Sequence, residues 1–191
     1  CGGFEASAVQ RVRYLGPEWE AVHVRGTRHN TGELLERVAA LGAQMGGHLD
    51  GAHAVPVDAG SPTVGDLYLG DLTARLSYPL GIMVNRDARR FIDEGMDFKS
   101  YSYTVMGPAI LRQPGGMAYQ IFDQQTVERL ETRYGSGSRP VIAETIAELA
   151  SKLGLLPEAL GRTVTAYNAA VQERPFNPAI KDRIICRGLW Q

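Results

Sequence analysis

The sequence predicts an α+β fold: a small mixed or antiparallel sheet containing a β-hairpin, with helices packed to one side of it. Three observations carry this expectation. Leu80-Gly81-Ile82-Met83-Val84 and Arg90-Phe91-Ile92-Asp93 read as short apolar strands flanking a turn at Asn85-Arg86-Asp87-Ala88. The last third holds two apolar stripes at helical spacing. Between 46 and 81 the chain is rich in Gly, Pro and Asp, with only brief apolar runs such as Ala54-Val55 and Leu67-Tyr68-Leu69.

In chain order, the first 28 residues are mixed, with Gly16-Pro17 as a turn signal. A helix is expected over about 31–43. Asn30 is a good N-cap and Glu33 can reach back to it as in a capping box. Leu34, Leu35, Val38 and Leu41 recur at helical spacing, and Gly42 can end the helix. The 46–81 stretch reads as a long, elaborated loop, which in a domain of this size tends to be functional. The hairpin follows, then a strand at 118–122 after the turn Pro114-Gly115-Gly116. Ile142, Ile146, Leu149, Ala150 and Leu153 mark a helix with Pro140 near its first turn and Gly154 past its end. Pro157 opens a second helix, with Leu160, Val164, Tyr167, Asn168 and Val171 on its stripe and Pro175 and Pro178 beyond it.

Composition narrows the function. The 191 residues carry 20 Lys+Arg against 21 Asp+Glu, a net charge of −1, which argues against a broad phosphate-neutralising face and hence against nucleic acid as partner. With 44% apolar residues the chain can bury a core. No apolar run is long enough to span a membrane, and no stretch reads as a signal peptide, so the expected location is the cytoplasm. Cys1 and Cys186 are too few for a disulfide framework. A chain that opens Cys-Gly-Gly-Phe reads as cut, by processing or otherwise, and Cys1 has three readings: an N-terminal nucleophile, a lipid-bearing residue, or an ordinary small residue.

The common cofactor fingerprints GxGxxG, P-loop, CxxC and HExxH are absent. His48 and His53 flank Asp50 in a Gly-rich stretch, but no further ligand stands at a recognisable spacing, so no metal is expected. His53 can equally donate a hydrogen bond to a carboxylate. Asp93, Glu94, Asp97 and Lys99 cluster just after Arg86, Arg89 and Arg90; without context this is a solvated hairpin edge with surface ion pairs.

Context comes from three stretches taken in order: Gly2-Gly3-Phe4-Glu5-Ala6, Asn30-Thr31-Gly32-Glu33, and Gly81-Ile82-Met83-Val84-Asn85-Arg86 through Arg90-Phe91-Ile92-Asp93-Glu94. Together they resemble the FAD-dependent fumarate reductase and succinate dehydrogenase flavoprotein family. The run 77–123, with Asp97-Phe98-Lys99-Ser100-Tyr101, and the ending Cys186-Arg187-Gly188-Leu189 look most like its tricarballylate dehydrogenase branch.

The resemblance implies a two-part enzyme, in which a capping domain closes over an FAD-binding domain and hydride moves between flavin and a di- or tricarboxylate. It implies an internal fragment: 1–45 a remnant of the FAD-binding domain, 46–140 the capping (substrate) domain, and 141–191 the helical part of the cap and its return. The fragment alone is expected to be inactive and to hold FAD weakly or not at all. Residue by residue, His53 matches a substrate-binding His and Glu94 the acid that closes the hairpin motif, with a catalytic role. Lys99 stands nearest to a position where relatives carry a proton-transferring Arg, and a Lys lacks the planar fork of an Arg. Gly2, Gly3 and Phe4, with Thr31, Gly32 and Glu33, match segments near the flavin. The partners implied are a small polycarboxylate substrate and an electron-transfer partner, with oligomerisation possible. Two other classes stay open, an N-terminal-Cys hydrolase and a non-catalytic α+β binding module. The resemblance also implies that Lys99 and His53 face one cleft, within roughly 15 Å of each other for a pocket of ordinary size.

Overall fold

The computed structural model describes residues 2–171 and 177–179. Its elements in order are α1 (Ala8–Leu15), α2 (Glu33–Ala40), β1 (Ile82–Val84), α3 (Lys99–Leu111), β2 (Tyr119–Ile121), α4 (Ile146–Leu153) and α5 (Pro157–Ala170), with short 3₁₀ turns in several of the connections. β1 pairs antiparallel with β2, Ile82 opposite Ile121 and Val84 opposite Tyr119. This is the α+β class the sequence predicts.

All three β1 residues are buried, and the period-two alternation of a strand sends them to different layers. Ile82 and Val84 pack with Ala88, Ala150, Leu155 and Leu160, the face made by α4 and α5. Met83 packs with Tyr78 and Met106, the face made by α3. Helices therefore cover both sides of the ribbon, not one side as expected. The reason is α3, which the sequence hides: its start is crowded with Ser, Tyr and Thr, and Gly107-Pro108 interrupts it, all poor helix signals. Gly107 is required by a close approach, since a Cβ there would lie 2.5 Å from the Ala54 carbonyl carbon. That contact seats the 53–55 segment of the long loop directly on α3.

The hairpin expected over 80–93 shrinks to one bridge, Val84 to Arg90, and β1 takes its ladder from β2. The turn itself forms as expected. Asn85 donates its N–H to the Arg89 carbonyl at 3.0 Å, and its Oδ1 accepts from the N–H groups of Asp87 (2.9 Å) and Arg89 (3.0 Å). Ala88 adopts φ 57°, and its carbonyl accepts from Thr163 Oγ1 at 2.6 Å, tying the turn to α5. The ladder stops because Glu94 Oε1 accepts the Met83 N–H at 2.5 Å, on the donor that a returning strand would have used. Replacing Asn85 by Ala removes the acceptor of both turn hydrogen bonds and the 3.1 Å bond from its amide to Gln113 Oε1. A loss of about 1–3 kcal/mol is expected, read as a lower urea midpoint with an unchanged slope.

At the other helices, boundaries shift for identifiable reasons. α2 begins at Glu33, not 31, because Asn30 is spent elsewhere: its Nδ2 donates to Glu5 Oε1 at 2.6 Å and its carbonyl accepts from the Ala6 N–H at 2.9 Å. α4 begins at Ile146, with Thr145 as N-cap accepting the Glu148 N–H at 3.1 Å, so Ile142 and Pro140 lie ahead of it. Gly154 closes α4 and Pro157 opens α5 as expected; α5 ends at Ala170, and Pro175 lies outside the described residues.

The long loop is pinned rather than laddered. Its Val57–Ala74 bridge is flanked by a buried ion pair, Arg75 Nη2 to Asp58 Oδ2 at 2.9 Å. Arg75 also donates to the carbonyls of Leu72, Ala74, Arg133 and Ser136, and its guanidinium lies over the Tyr134 ring at 5.2 Å. Asp58 accepts from the Gly60 N–H and from the hydroxyl of Ser138, which joins the loop to 133–138 across the sequence.

Candidate functional site

The first turns of α3 carry the candidate site. Phe98 precedes the helix, and Ser102 and Tyr78, on the buried side, share a 2.7 Å hydrogen bond that fixes the helix against the core. Burial pushes the Tyr78 phenol up to about 12, so it stays a neutral structural group. On the open side, His53 meets Tyr103 edge to face, ring centroids 5.1 Å apart. Tyr103 stands one helical turn from Lys99, a spacing that puts the two on one face. Phe98 and Tyr101 are exposed beside them and touch at 6.3 Å. His53 thus lies against a tyrosine one helical turn from Lys99, a residue that sequence patterning does not single out. Recognising α3 as a helix is the signal that would have found it.

Lys99 is not an isolated cation. Its Nζ pairs with Glu131 Oε1, whose Oε2 lies 2.9 Å from Arg133 Nε. Arg133 pairs in turn with Asp71, and Asp71 with Arg25. This alternating chain of five charges crosses from α3 to the start of the chain. Anything anionic that engages Lys99 must compete with Glu131.

Glu94 is placed differently from a solvated hairpin edge. It is fully buried, with Oε1 on the Met83 N–H and Oε2 2.7 Å from Arg90 Nε. Burial pushes its carboxyl up; the Arg90 guanidinium and the Met83 N–H pull it part of the way back. Arg90 also lies 5.4 Å over the Tyr167 ring of α5. Glu94 therefore locks β1, the 85–89 turn and the approach to α3 together.

The two segments matched to the flavin, Gly2-Gly3-Phe4 and Thr31-Gly32-Glu33, converge. Ala6 donates to the Asn30 carbonyl, and at Gly32 a Cβ would lie 2.9 Å from Phe4 Cβ. Gly32 holds φ 82°, a left-handed conformation that glycine adopts without strain, and no side chain caps the first turn of α2. Uncapped N–H groups beside a glycine-tight backbone crossing fit the edge of an electron-rich ring. Cys1 and Cys186, and with Cys186 the Cys-Arg-Gly-Leu ending, lie outside the described residues. His48 pairs with Asp50 at 2.9 Å on the surface, and among the described residues no three His, Cys, Asp or Glu side chains gather as a metal site. No helix among them is long and apolar enough to cross a membrane.

This fold is shared with a solved flavoenzyme. The open conformation of a flavocytochrome c3 fumarate reductase superposes with a TM-score of 0.60 at 23% identity, over 88% of this chain and 28% of that one. No protein-family profile matches the chain. Among curated proteins, the 3-oxosteroid 1-dehydrogenase of Mycobacterium tuberculosis is 31% identical over 188 residues, 88% of this chain and 32% of its own length. The NADH:acrylate oxidoreductase of Vibrio harveyi is 28% identical over 182 residues, 89% of this chain and 17% of its own length. The chain's homologues, which include 3-oxosteroid 1-dehydrogenase, fumarate reductase and NADH:acrylate oxidoreductase, are FAD-dependent flavoproteins of the fumarate reductase and succinate dehydrogenase family. The chain spans about a third of the length of the mycobacterial relative.

Proposed function

We propose that the protein containing this chain is an FAD-dependent oxidoreductase that moves a hydride to or from a carbon–carbon bond conjugated to a carboxylate or ketone. The observation that carries this reading is the contact of His53 with Tyr103, one helical turn from Lys99 on α3, in a chain whose homologues are flavoproteins of that family. In this reading 46–140 is the capping region and 1–45 belongs to the FAD-binding part. FAD, held on this chain's side by Gly2, Gly3, Phe4, Thr31, Gly32 and Glu33, supplies the hydride acceptor or donor. His53 donates a hydrogen bond to a substrate oxygen. Lys99 supplies a positive charge and a proton at its Nζ, where relatives are expected to carry Arg. Glu94, buried and doubly bonded, acts as a positioning residue that holds the 90–98 segment under them. A polycarboxylate such as tricarballylate or a dicarboxylate is the first substrate class, because a cation and a hydrogen-bond donor stand together there. A separate electron-transfer partner completes the cycle.

A second substrate class is favoured by a specific feature: Phe98 and Tyr101 are exposed on the same end of α3. Those rings would pack the apolar body of a cyclic ketone. Turnover of the FAD-bound protein separates the two. Lys99→Met is expected to lower kcat by about 10²–10⁴ as a lost proton donor. His53→Phe is expected to act mainly on KM. If the substrate is a polycarboxylate, Tyr101→Ala leaves KM within a few-fold; if it is a cyclic ketone, KM rises by roughly tenfold or more, as lost stacking area demands. Unchanged kcat in Lys99→Met contradicts the role given to Lys99.

A further inference from the structure

The molecule holds a second candidate site on the other side of the ribbon. Between the 85–89 turn and the α4–α5 corner lies a cavity of about 510 Å³, lined by Arg86, Asp87, Arg89, Leu156, Arg162 and Thr163 among others. Its volume is within the range of small-molecule sites. It opens on the α4–α5 face of β1, whereas His53 and Lys99 stand on the α3 face. None of Arg86, Arg89 and Arg162 has a carboxylate partner within 4.0 Å among the described residues. The Arg86 guanidinium lies against Gly115 and meets the Met117 sulfur at 3.9 Å.

The wall that presents these arginines is built in advance. Asn85 fixes the turn through two hydrogen bonds accepted by its Oδ1, and the Ala88 carbonyl is bonded to Thr163, the neighbour of Arg162 in α5. Arg90, between Arg89 and the core, is turned inward to Glu94 and Tyr167, so the guanidinium groups divide between an internal lock and an outward cluster. Three guanidinium groups brought to one concavity repel each other, and Asp87 offsets only one charge. In a chain of net charge −1 this local excess of two positive charges is not a reflection of composition. Guanidinium forks match the paired oxygens of phosphates and carboxylates, and the exposed Leu156 on the same wall offers an apolar contact for a small organic body.

We infer that this cavity binds a small multivalent oxyanion, a molecule bearing clustered phosphate or carboxylate groups, at a site separate from the α3 face. Isothermal titration of the full chain with pyrophosphate and, separately, with citrate tests it and distinguishes the two sources of charge. Saturable binding of at least one probe is expected, weakening as salt is raised. In the Arg89→Gln/Arg162→Gln double variant affinity should fall by roughly tenfold or more, with each single variant intermediate, since each removes one charge-assisted fork. Both substitutions are at exposed positions outside the core, and an unchanged circular dichroism melt confirms that the variants fold. Failure of both probes to saturate, or equal affinity in wild type and double variant, overturns the inference. Binding of polyglutamate without either small anion also overturns it, because the arginines would then serve an acidic macromolecule. None of these outcomes depends on flavin or turnover, so they stand apart from the function proposed above.

Discussion

Truncating Glu94 to Ala is expected to cost about 3–5 kcal/mol. The carboxylate is completely buried; its removal strands the Met83 N–H in the middle of β1 and takes from the Arg90 guanidinium its nearer carboxylate, leaving Asp93 at 3.8 Å. Glu94→Gln should cost far less, since the amide oxygen can still accept from Met83. The pH dependence separates them further. The folded carboxyl is held above its ordinary value of 4.5, so the unfolded chain releases this proton first as pH rises. Stability contributed by Glu94 therefore falls as pH climbs from 4.5 to the raised folded value, and is level above it. Urea midpoints of wild type and Glu94→Gln, measured across that window, should converge as pH rises. A gap that widens with pH would show that Glu94 is stabilised as an anion instead.

Second in size is Arg75→Ala, at about 3–4 kcal/mol, because it leaves Asp58 buried without its counter-charge and frees four backbone carbonyls. Asp58 shows the opposite pH behaviour to Glu94. Burial pushes its carboxyl up, but the Ser138 hydroxyl, the Gly60 N–H and Arg75 together bring it below 3.8. Its contribution is thus complete above 3.8 and is lost as pH falls through the lower folded value. Arg75→Ala should accordingly be most damaging near neutral pH and lose much of its effect in acid. Limited proteolysis gives a structural check: cleavage should appear within 58–75 and 133–138, the two segments that Arg75 ties together.

The sequence made the local signals legible and hid the ones that depend on distant partners. Gly154 and Pro157 punctuate α4 and α5 as read, because capping is decided within a turn or two. The turn at Asn85–Ala88 was legible for the same reason. The hairpin failed because a carboxylate eleven residues on, Glu94, takes the hydrogen bond that a second strand needs, and strand alternation carries no trace of that. Helix α3 was hidden by Gly107-Pro108, whose glycine is explained only by the Ala54 backbone lying against it. With α3 missing, Tyr103 had no address, and the pairing of His53 with that helix face was out of reach. The flavin-side segments were found by resemblance, and their convergence at Phe4 and Gly32 could not be read from spacing.

The proposed activity of the protein containing this chain is exchange of hydride between FAD and an activated carbon–carbon bond. An anaerobic half-reaction tests it most directly: the flavin of the FAD-bound protein is reduced chemically, then mixed with an unsaturated substrate, and the oxidised flavin band is followed. An unsaturated polycarboxylate or a conjugated cyclic ketone is expected to restore that band at least about tenfold faster in wild type than in Lys99→Met, in keeping with a lost proton donor. Reduced flavin that neither class of substrate reoxidises, or that both proteins reoxidise at the same rate, would contradict it.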